Sequence, residues 1–467
     1  MENFAPVPFS TDPAELRFAK KATWLAVKLC LACVVIQIAA YVSNPFGFLL
    51  GAGLLGVMCF VAFQKPDLAF FGMFGAKVTI DTFWWIEPIA SPLSLNEFSF
   101  MPIAICLIAG LSRRPASGGW VTILVIAYTS WVVAVQFVVD ADYNFPLMVR
   151  IVGPAIGLLV GMSFLRSRND LTLMFRVLVI SSVVPVLASV SQILLSHFGT
   201  TIFFYKTDSV RGIRFSGLYY DPATLGMVMI ITILSSVYLL WSDAVRGNWR
   251  RAVYLILGAG YLVTIVGATR SVVGISTAVI AGYMLVKFSA GIRLAPVLIV
   301  VVLLGQPYIQ KIQDRNLAEL SRTSVSLSDI QLNKVLSDAK YRQLFTGRMS
   351  LWQNAMRLHW RGSWEDQLLG FGRAANFHSS YFYLLLYSGM IGLSLYLIFH
   401  VVLLSNLWAV RVDKDIKLVA IFAVLAVLGM GIAATVVLYT SLQWTVYLLA
   451  GGALEMGRSG RVLVSRA

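Results

Sequence analysis

The sequence predicts an all-α, polytopic membrane protein that forms a single integral domain over residues 1–467. Three observations indicate this class. Apolar residues make up 58% of the chain and its mean hydropathy is +0.79, whereas soluble domains are roughly 45–50% apolar. Apolar runs of membrane-spanning length recur from one end to the other. Clusters of basic residues occur between these runs in the alternating pattern of the positive-inside rule.

A membrane-spanning helix needs about 20 apolar residues, and about fourteen spans are predicted. The first run is longer than a signal-peptide core, so we expect a retained span. The segment 67–90 is the weakest, because Lys77, Asp81 and Glu87 interrupt it. It is predicted to span with polar residues facing inward, or to be re-entrant or interfacial. The other runs are 22–43, 46–63, 98–112, 120–139, 146–165, 171–195, 222–241, 251–268, 271–288, 293–307, 378–405, 416–437 and 440–456.

The arrangement of basic loops predicts the orientation of the chain. On a count of fourteen spans, every short basic loop falls on one side, which the positive-inside rule assigns to the cytoplasm together with both termini. The net charge of +15 is explained mainly by these loops, so nucleic-acid binding is not expected. The clusters are Arg17/Lys20/Lys21, Arg113/Arg114, Arg166/Arg168, Arg246/Arg250/Arg251, Lys287/Arg293, Arg411/Lys414/Lys417 and Arg458/Arg461.

One long loop, residues 306–377, is predicted on the opposite side between two late spans. It carries ten Lys and Arg against six Asp and Glu, and long loops cross the membrane largely regardless of charge. Residues 348–361 within it have helical periodicity and predict a short amphipathic helix. Its apolar stripe, which either packs on the bundle or contributes directly to function, consists of Leu351, Trp352, Ala355, Met356 and Leu358.

Several outward arginines are the residues that positive-inside loops do not explain. Arg211 and Arg214 precede a predicted span whose first turn contains Pro222, with Asp221 as its N-cap. Arg270 lies in a tight link between two spans, where it either extends to the interface or binds substrate. Guanidinium groups at a water-filled mouth can hold phosphate through forked hydrogen bonds.

His378 is the strongest candidate for a proton acceptor. It lies where the long polar loop enters an apolar span, and its reference pKa of about 6.5 suits general-base catalysis. Glu365 and Asp366 are competing bases in the same loop. The sequence has no P-loop, no dinucleotide glycine fingerprint, no Gly-x-Ser-x-Gly elbow and no zinc-type His/Cys spacing. No metal and no cofactor are therefore expected.

Between about Arg211 and Tyr396, the chain resembles the O-antigen ligase and Wzy-type polysaccharide polymerase superfamily. The resemblance rests on ordered motifs, while the first 200 residues match only as generic spans. The family commonly has His-Asn where this chain has His378-Ser379. The motifs are Arg214-Phe-Ser-Gly217 with Asp221-Pro222, then Thr269-Arg270-Ser271, then Gly347-Arg348, Trp352, Leu369-Gly-Phe-Gly372, His378, Tyr381 and Gly389-Met-Ile-Gly392.

The resemblance implies a GT-C-like helical fold in the bacterial inner membrane, with its active site on the periplasmic face. It also implies inverting, metal-independent transfer of a glycan from undecaprenyl pyrophosphate. His378 would activate the acceptor, while Arg270 and Arg348, assisted by Arg214, would bind the pyrophosphate. Further candidates for an assisting role are Arg211, Asp221, Glu365 and Tyr381.

The acceptor distinguishes two activities within the family. A polysaccharide polymerase, for O-antigen or exopolysaccharide, uses another lipid-linked glycan, whereas a ligase uses lipid A-core. We favour the polymerase narrowly, with membrane lipids and a chain-length regulator as expected partners. The alternative from another class is a flippase or transporter of lipid-linked oligosaccharide. Such proteins tend to have internal repeats and broken helices, and the sequence shows neither.

Overall fold

A computed structural model describes residues 12–86, 95–113, 119–139, 145–200, 205–208, 212–219, 221–267, 270–323, 348–372 and 377–465. Helices dominate these ranges. They are α1 Pro13–Val42, α2 Asn44–Gln64, α3 Pro66–Ile80, α4 Leu95–Phe98, α5 Phe100–Arg113, α6 Trp120–Val138, α7 Phe145–Phe164, α8 Arg168–His197, α9 Pro222–Trp241, α10 Gly247–Val266, α11 Arg270–Val286, α12 Phe288–Thr323, α13 Arg348–Arg361, α14 Trp364–Leu369, α15 Ser380–Ala409, α16 Lys414–Ala433 and α17 Thr440–Ser465.

The helices agree with the prediction of a polytopic membrane protein. Each predicted apolar run except 67–90 corresponds to one helix, although α1, α12 and α17 extend well beyond their runs. By length and composition, nine helices in the described part of the chain could cross a membrane. Shorter apolar helices are Phe100–Arg113, Arg150–Phe164 and Arg270–Val286. The total of fourteen spans stays a prediction.

A short β-hairpin lies between α8 and α9 in the otherwise helical fold of the described residues. Strands β1, Tyr205–Asp208, and β2, Gly212–Phe215, pair antiparallel, with Lys206 opposite Arg214. Four-residue strands between two long apolar runs give too little alternation to be recognised in a sequence. The hairpin leads directly into the turn that precedes α9.

The interrupted segment 67–90 is buried from Ala69 to Phe83. It consists of α3 and a 3₁₀ turn, Asp81–Trp85. Lys77 and Asp81, both buried, form an ion pair one helical turn apart. Lys77 also donates to Asn96 Oδ1 at 2.8 Å and lies 5.5 Å from the Trp444 ring. Lys77 and Asp81 therefore face inward, where a charged pair keeps its partners.

The predicted basic loops lie together at one end of the bundle, here called the basic end. The loop before α8 reaches the loop before α16 through an Arg168–Asp413 ion pair of 3.2 Å. Lys287, after α11, pairs with Asp415 at 3.2 Å. Asn169 also donates to Glu15 on α1 at 3.0 Å. These contacts group the loops as the alternating topology requires.

The opposite end of the bundle, here called the site end, collects the alternate turns. Trp84, after α3, donates to the Leu218 carbonyl at 3.2 Å. The Tyr219 hydroxyl donates to the Val78 carbonyl at 2.7 Å, and Gln192 on α8 accepts from the Gly217 N–H at 2.9 Å. The turn that precedes α9 is therefore fixed between α3 and α8.

Helices α7 and α17 approach so closely that their backbones touch. Gly153, Gly157 and Gly161 recur every four residues along α7. A Cβ atom built on Gly161 would lie 2.1 Å from the Leu448 carbonyl oxygen, and one on Gly157 would lie 2.7 Å from that of Trp444. Small residues at this spacing are typical of tight helix pairs in membranes. The pair fixes the start of α7 against the turn before α17.

Helix α12 is longer than predicted. It continues to Thr323, so the first part of the loop predicted over 306–377 is helical. The extension is rich in Gln, Lys, Arg, Leu and Ala, which are strong helix formers. Apolar periodicity, the signal used to bound the span, does not detect them.

Candidate functional site

Helices α13 and α14 pack against the first half of α15. Helix α13 has the bounds predicted for the amphipathic helix. Trp352 Nε1 donates to the Phe377 carbonyl at 3.1 Å, and its ring stacks on Phe382 with centroids 5.7 Å apart. The predicted stripe is wrong at Leu358, which is 52% exposed, while His359 is buried. The helix is rotated so that its polar histidine faces the bundle.

Helix α15 is broken near its start. Gly389 has φ 67° and ψ −171°, which removes helical hydrogen bonds from the preceding turn. The Phe371 N–H donates to the Leu386 carbonyl at 2.7 Å, and the Gly372 N–H donates to that of Tyr387 at 3.1 Å. Trp131 on α6 donates to the Ser388 carbonyl at 3.0 Å. Each freed carbonyl thus has a partner, as a buried break requires.

The two glycine motifs identified in the sequence meet at this break. A Cβ atom on Gly370, where φ is 90°, would lie 2.4 Å from the Tyr387 carbonyl oxygen. One on Gly389 would lie 2.1 Å from that of Leu368. Only glycine fits both the backbone conformation and the space. No broken helix was predicted from the sequence, and the break at Gly389 shows that this prediction was wrong.

His378 lies where it was predicted, at the entry to α15. Its side chain is exposed and its φ is 52°, in the left-handed region. The residues on both sides are buried. Phe377 accepts from Trp352, and Ser379 Oγ donates to the Gly431 carbonyl at 3.2 Å. The imidazole is therefore presented at the site end from a backbone that is fixed on each side.

The last turns of α16 connect the His378 region to the helix that Arg270 begins. Tyr381, a candidate assisting residue, donates its hydroxyl to the Leu428 carbonyl at 2.8 Å. A Cβ on Gly429 would lie 3.3 Å from Ile275 Cδ1, on the second turn of α11. Arg270 is half-buried as the first residue of α11. Both candidate residues therefore lie on elements that pack against the same end of α16.

Asp221 has the N-cap role that the sequence predicted. Its Oδ1 accepts from the Ala223 and Thr224 N–H groups at 2.6 and 2.9 Å, and Oδ2 accepts from Thr224 Oγ1 at 3.1 Å. The Tyr439 hydroxyl interacts with the same two side chains. Burial, and next the Asp221 carboxylate, raise the pKa of Tyr439. That hydroxyl therefore stays protonated and can donate.

Arg150 is a further cation near the site, and it was not among the residues predicted from the sequence. It is half-buried near the start of α7 and interacts electrostatically with Tyr439 and with Tyr383 on α15. Tyr439 adjoins the Asp221 turn and Tyr383 lies on the helix that follows His378, so Arg150 is close enough to both regions to act on their charges. The signal was present, because Arg150 is the only cation in the predicted span 146–165, and ionisable residues within spans are commonly functional.

Of the remaining candidate site residues, all but Arg211 lie in the described part of the chain. Arg348, half-buried, begins α13, and Arg214 lies in β2. Glu365 is exposed in α14, and Asp366 forms the capping box of that helix with Ser363. Arg211, like Thr269 and Gly347 of the motifs, lies outside the described residues.

The described residues contain no group of three or more His, Cys, Asp or Glu side chains that could hold a metal ion. The arrangement combines an exposed imidazole with half-buried guanidinium groups at one end of a helical bundle. Chemically, such groups can accept a proton and neutralise an anionic leaving group. Comparisons with models of protein families and with curated proteins give no match to this chain.

Proposed function

We propose that this protein is a membrane glycosyltransferase that acts on undecaprenyl-pyrophosphate-linked glycan at the periplasmic face of the bacterial inner membrane. Transfer is inverting and metal-independent, and the acceptor is a second lipid-linked glycan, which makes the enzyme a polysaccharide polymerase. The observation that carries the proposal is the placement of His378. Its imidazole is exposed beside the broken start of α15, at the end of the bundle where α7 and α11 bring Arg150 and Arg270.

The chemistry follows from a single displacement at the anomeric carbon of the donor. An acceptor hydroxyl oxygen attacks that carbon as its proton passes to a ring nitrogen of His378. The bond between the anomeric carbon and the pyrophosphate oxygen breaks, and the electron pair leaves with the pyrophosphate. Attack from the side opposite the leaving group inverts the configuration. General-base assistance of this kind contributes roughly 10²- to 10⁴-fold to the rate.

Arginine side chains neutralise the departing pyrophosphate. Arg270 and Arg348 take this role, with Arg214 assisting, and the structure adds Arg150 as a fourth candidate. Guanidinium groups keep their charge and match phosphate oxygens in pairs. Fixed donors of this kind need no reorganisation during the reaction, and removing one typically costs about 10²- to 10³-fold in rate.

The orientation proposed for the bundle follows from its charges. The basic end faces the cytoplasm and the site end faces the periplasm. The turns of the site end then face the periplasm, together with His378 at the entry to α15.

The experiment that tests the proposal uses purified protein with an undecaprenyl-pyrophosphate oligosaccharide, resolved on a gel. The wild type should build a ladder of products, and His378→Ala and Arg270→Ala should fold but stall. Met390→Ala is a matched control, because it removes an exposed side chain from α15 without changing a proposed catalytic group. A ladder of equal length from His378→Ala would overturn the assigned base.

Two other outcomes would replace the polymerase with a different activity. Transfer to added lipid A-core without a ladder would identify a ligase. The broken α15 specifically favours a second candidate, because interrupted helices are characteristic of transporters. Movement of lipid-linked oligosaccharide across liposome membranes, with no transfer in either assay, would identify a flippase.

A further inference from the structure

One face of α1 carries a row of exposed cations at the basic end. Arg17, Lys20, Lys21 and Lys28 are all exposed, and Trp24 lies among them with 56% of its side chain accessible. Their spacing of three, four, seven and eleven residues from Arg17 places them along one side of the helix. This surface is distinct from the site end of the bundle.

Two grooves flank this row. The larger, about 480 Å³, lies between α1 and α3, and the smaller, about 230 Å³, lies where α1 faces α8 and α10. Lys20 and Trp24 form the ridge that both grooves share. The larger groove is lined by Arg17, Lys20, Lys21, Trp24, Leu25, Lys28 and Leu68.

The cations of the larger groove have no carboxylate partner among the residues that the structure describes. The nearest acids along the chain are already engaged. Asp67, next to the groove residue Leu68, pairs with Arg113 at 3.4 Å. Glu15 on α1 accepts from the Asn169 amide at 3.0 Å. The groove is therefore a concentration of positive charge beside an apolar wall.

The position of Lys28 indicates how deep this groove lies in the membrane. It lies within the apolar run 22–43 and is exposed on the outside of the bundle, where a lysine facing lipid is costly unless it meets an anion. Trp24 and Trp249 are 56% and 50% exposed next to the same ridge. Exposed tryptophans at one level are typical of the membrane–water interface.

We propose that the larger groove binds an anionic phospholipid of the cytoplasmic leaflet. The headgroup phosphate is held by Lys20, Lys21 and Lys28, and the upper acyl chain lies along Leu25 and Leu68. Basic pockets between helices on the cytoplasmic side are suited to such headgroups. The inference depends on the membrane orientation proposed above, but not on glycosyl transfer.

The test measures the affinity of purified protein in neutral detergent for fluorescent phosphatidylglycerol and for its phosphatidylcholine analogue. Wild type should prefer phosphatidylglycerol. Lys20→Gln/Lys28→Gln should weaken its binding about fivefold per lysine, or about twenty-five-fold together. The matched control, Arg411→Gln/Lys414→Gln, removes two exposed charges from another loop of the basic end and should leave affinity within about twofold.

Equal binding of the two lipids by wild type would overturn the proposal, and so would equal weakening in both double variants. If Lys20→Gln/Lys28→Gln fails to fold, Lys20→Arg/Lys28→Arg replaces it and should retain the preference for phosphatidylglycerol. Because the assay contains no glycan, its failure would leave the proposed enzymatic activity unaffected. Loss of the glycan ladder would likewise leave this binding site unaffected.

Discussion

His378 combines an exposed side chain with a backbone conformation that most residues avoid. A φ of 52° places it in the left-handed region, which costs a residue with a Cβ atom roughly 1–2 kcal/mol. The conformation persists because Phe377 and Ser379 are buried and hydrogen-bonded on either side. Local strain of this kind is typical of functional positions, where it fixes the direction of a side chain.

The strain predicts that two small substitutions differ in stability. His378→Gly should be more stable than His378→Ala by about 1 kcal/mol, because only glycine adopts this φ without a steric penalty. Denaturation of the two variants in the same detergent would measure the difference. Equal stability would indicate that His378 adopts an ordinary φ. Both variants should lack activity, so the comparison separates backbone strain from chemistry.

His359 predicts a dependence of stability on pH. Burial lowers the pKa of this imidazole from its ordinary value of 6.5, and its Nδ1 has no hydrogen-bond partner among the described residues. The unfolded chain therefore binds a proton more readily than the folded protein. The stability that depends on a neutral His359 is fully present above pH 6.5. It is lost as the pH falls through the pKa of His359 in the folded protein.

Thermal unfolding at pH 7.5 and pH 5 would measure this effect. Wild type should lose more stability on acidification than His359→Gln, since glutamine is polar but does not titrate. Equal losses in the two proteins would show that His359 is not protonated on unfolding in this range. His378→Gln serves as the control because its side chain is exposed.

At the scale of single residues, the sequence predicted groups whose role is local. Asp221 was recognised as an N-cap because the pattern Asp-Pro precedes an apolar run, and the structure confirms it. Arg150 was missed because its neighbours, Tyr383 and Tyr439, belong to distant parts of the chain. Which side chains meet a cation depends on tertiary contacts, and a single sequence does not contain them.

At the scale of elements, the junction of α14 and α15 depends on two glycines. Gly370→Ala and Gly389→Ala should each destabilise the protein by more than about 3 kcal/mol. Each adds strain at a positive φ and a clash with a backbone carbonyl oxygen. Gly56→Ala is the matched control, because no atom lies within 4 Å of its added Cβ and its helix should become slightly more stable. Thermal unfolding would measure all three.

A Gly370→Ala variant as stable as wild type would contradict the contact between this segment and the broken helix. The sequence identified both glycine motifs, but placed them on separate elements. The break itself was not predicted, because residues 380–409 have the apolar content of an ordinary span. The interruption is seen in the backbone angles of Gly389 and in the hydrogen bonds to the carbonyls of Leu386 and Tyr387.

At the scale of the molecule, apolar length and loop charge predicted most of the helices and their alternation. Hydropathy succeeded because the bilayer imposes one length on every span. Hydropathy did not predict the β-hairpin or the polar extension of α12, because neither segment is a long apolar run. The alternation predicts that Glu365 and Arg411, both exposed, lie on opposite sides of the membrane.

Cysteine labelling would measure this orientation in a background that lacks Cys30, Cys33, Cys59 and Cys106. Glu365→Cys should react with a membrane-impermeant maleimide in spheroplasts, whereas Arg411→Cys should react only after lysis. Labelling of both before lysis in sealed spheroplasts would show that the predicted alternation is wrong. Protein with no introduced cysteine is the control.

The buried pair of Lys77 and Asp81 also constrains the order in which the molecule can be made. Trp444, which lies over Lys77, belongs to the last helix and is synthesised long after α3. An unpaired charge in apolar surroundings is strongly disfavoured during that interval. Because both charges lie on consecutive turns of the same segment, Lys77 and Asp81 can leave the ribosome and enter the membrane as a neutral pair, before the helix that covers them exists.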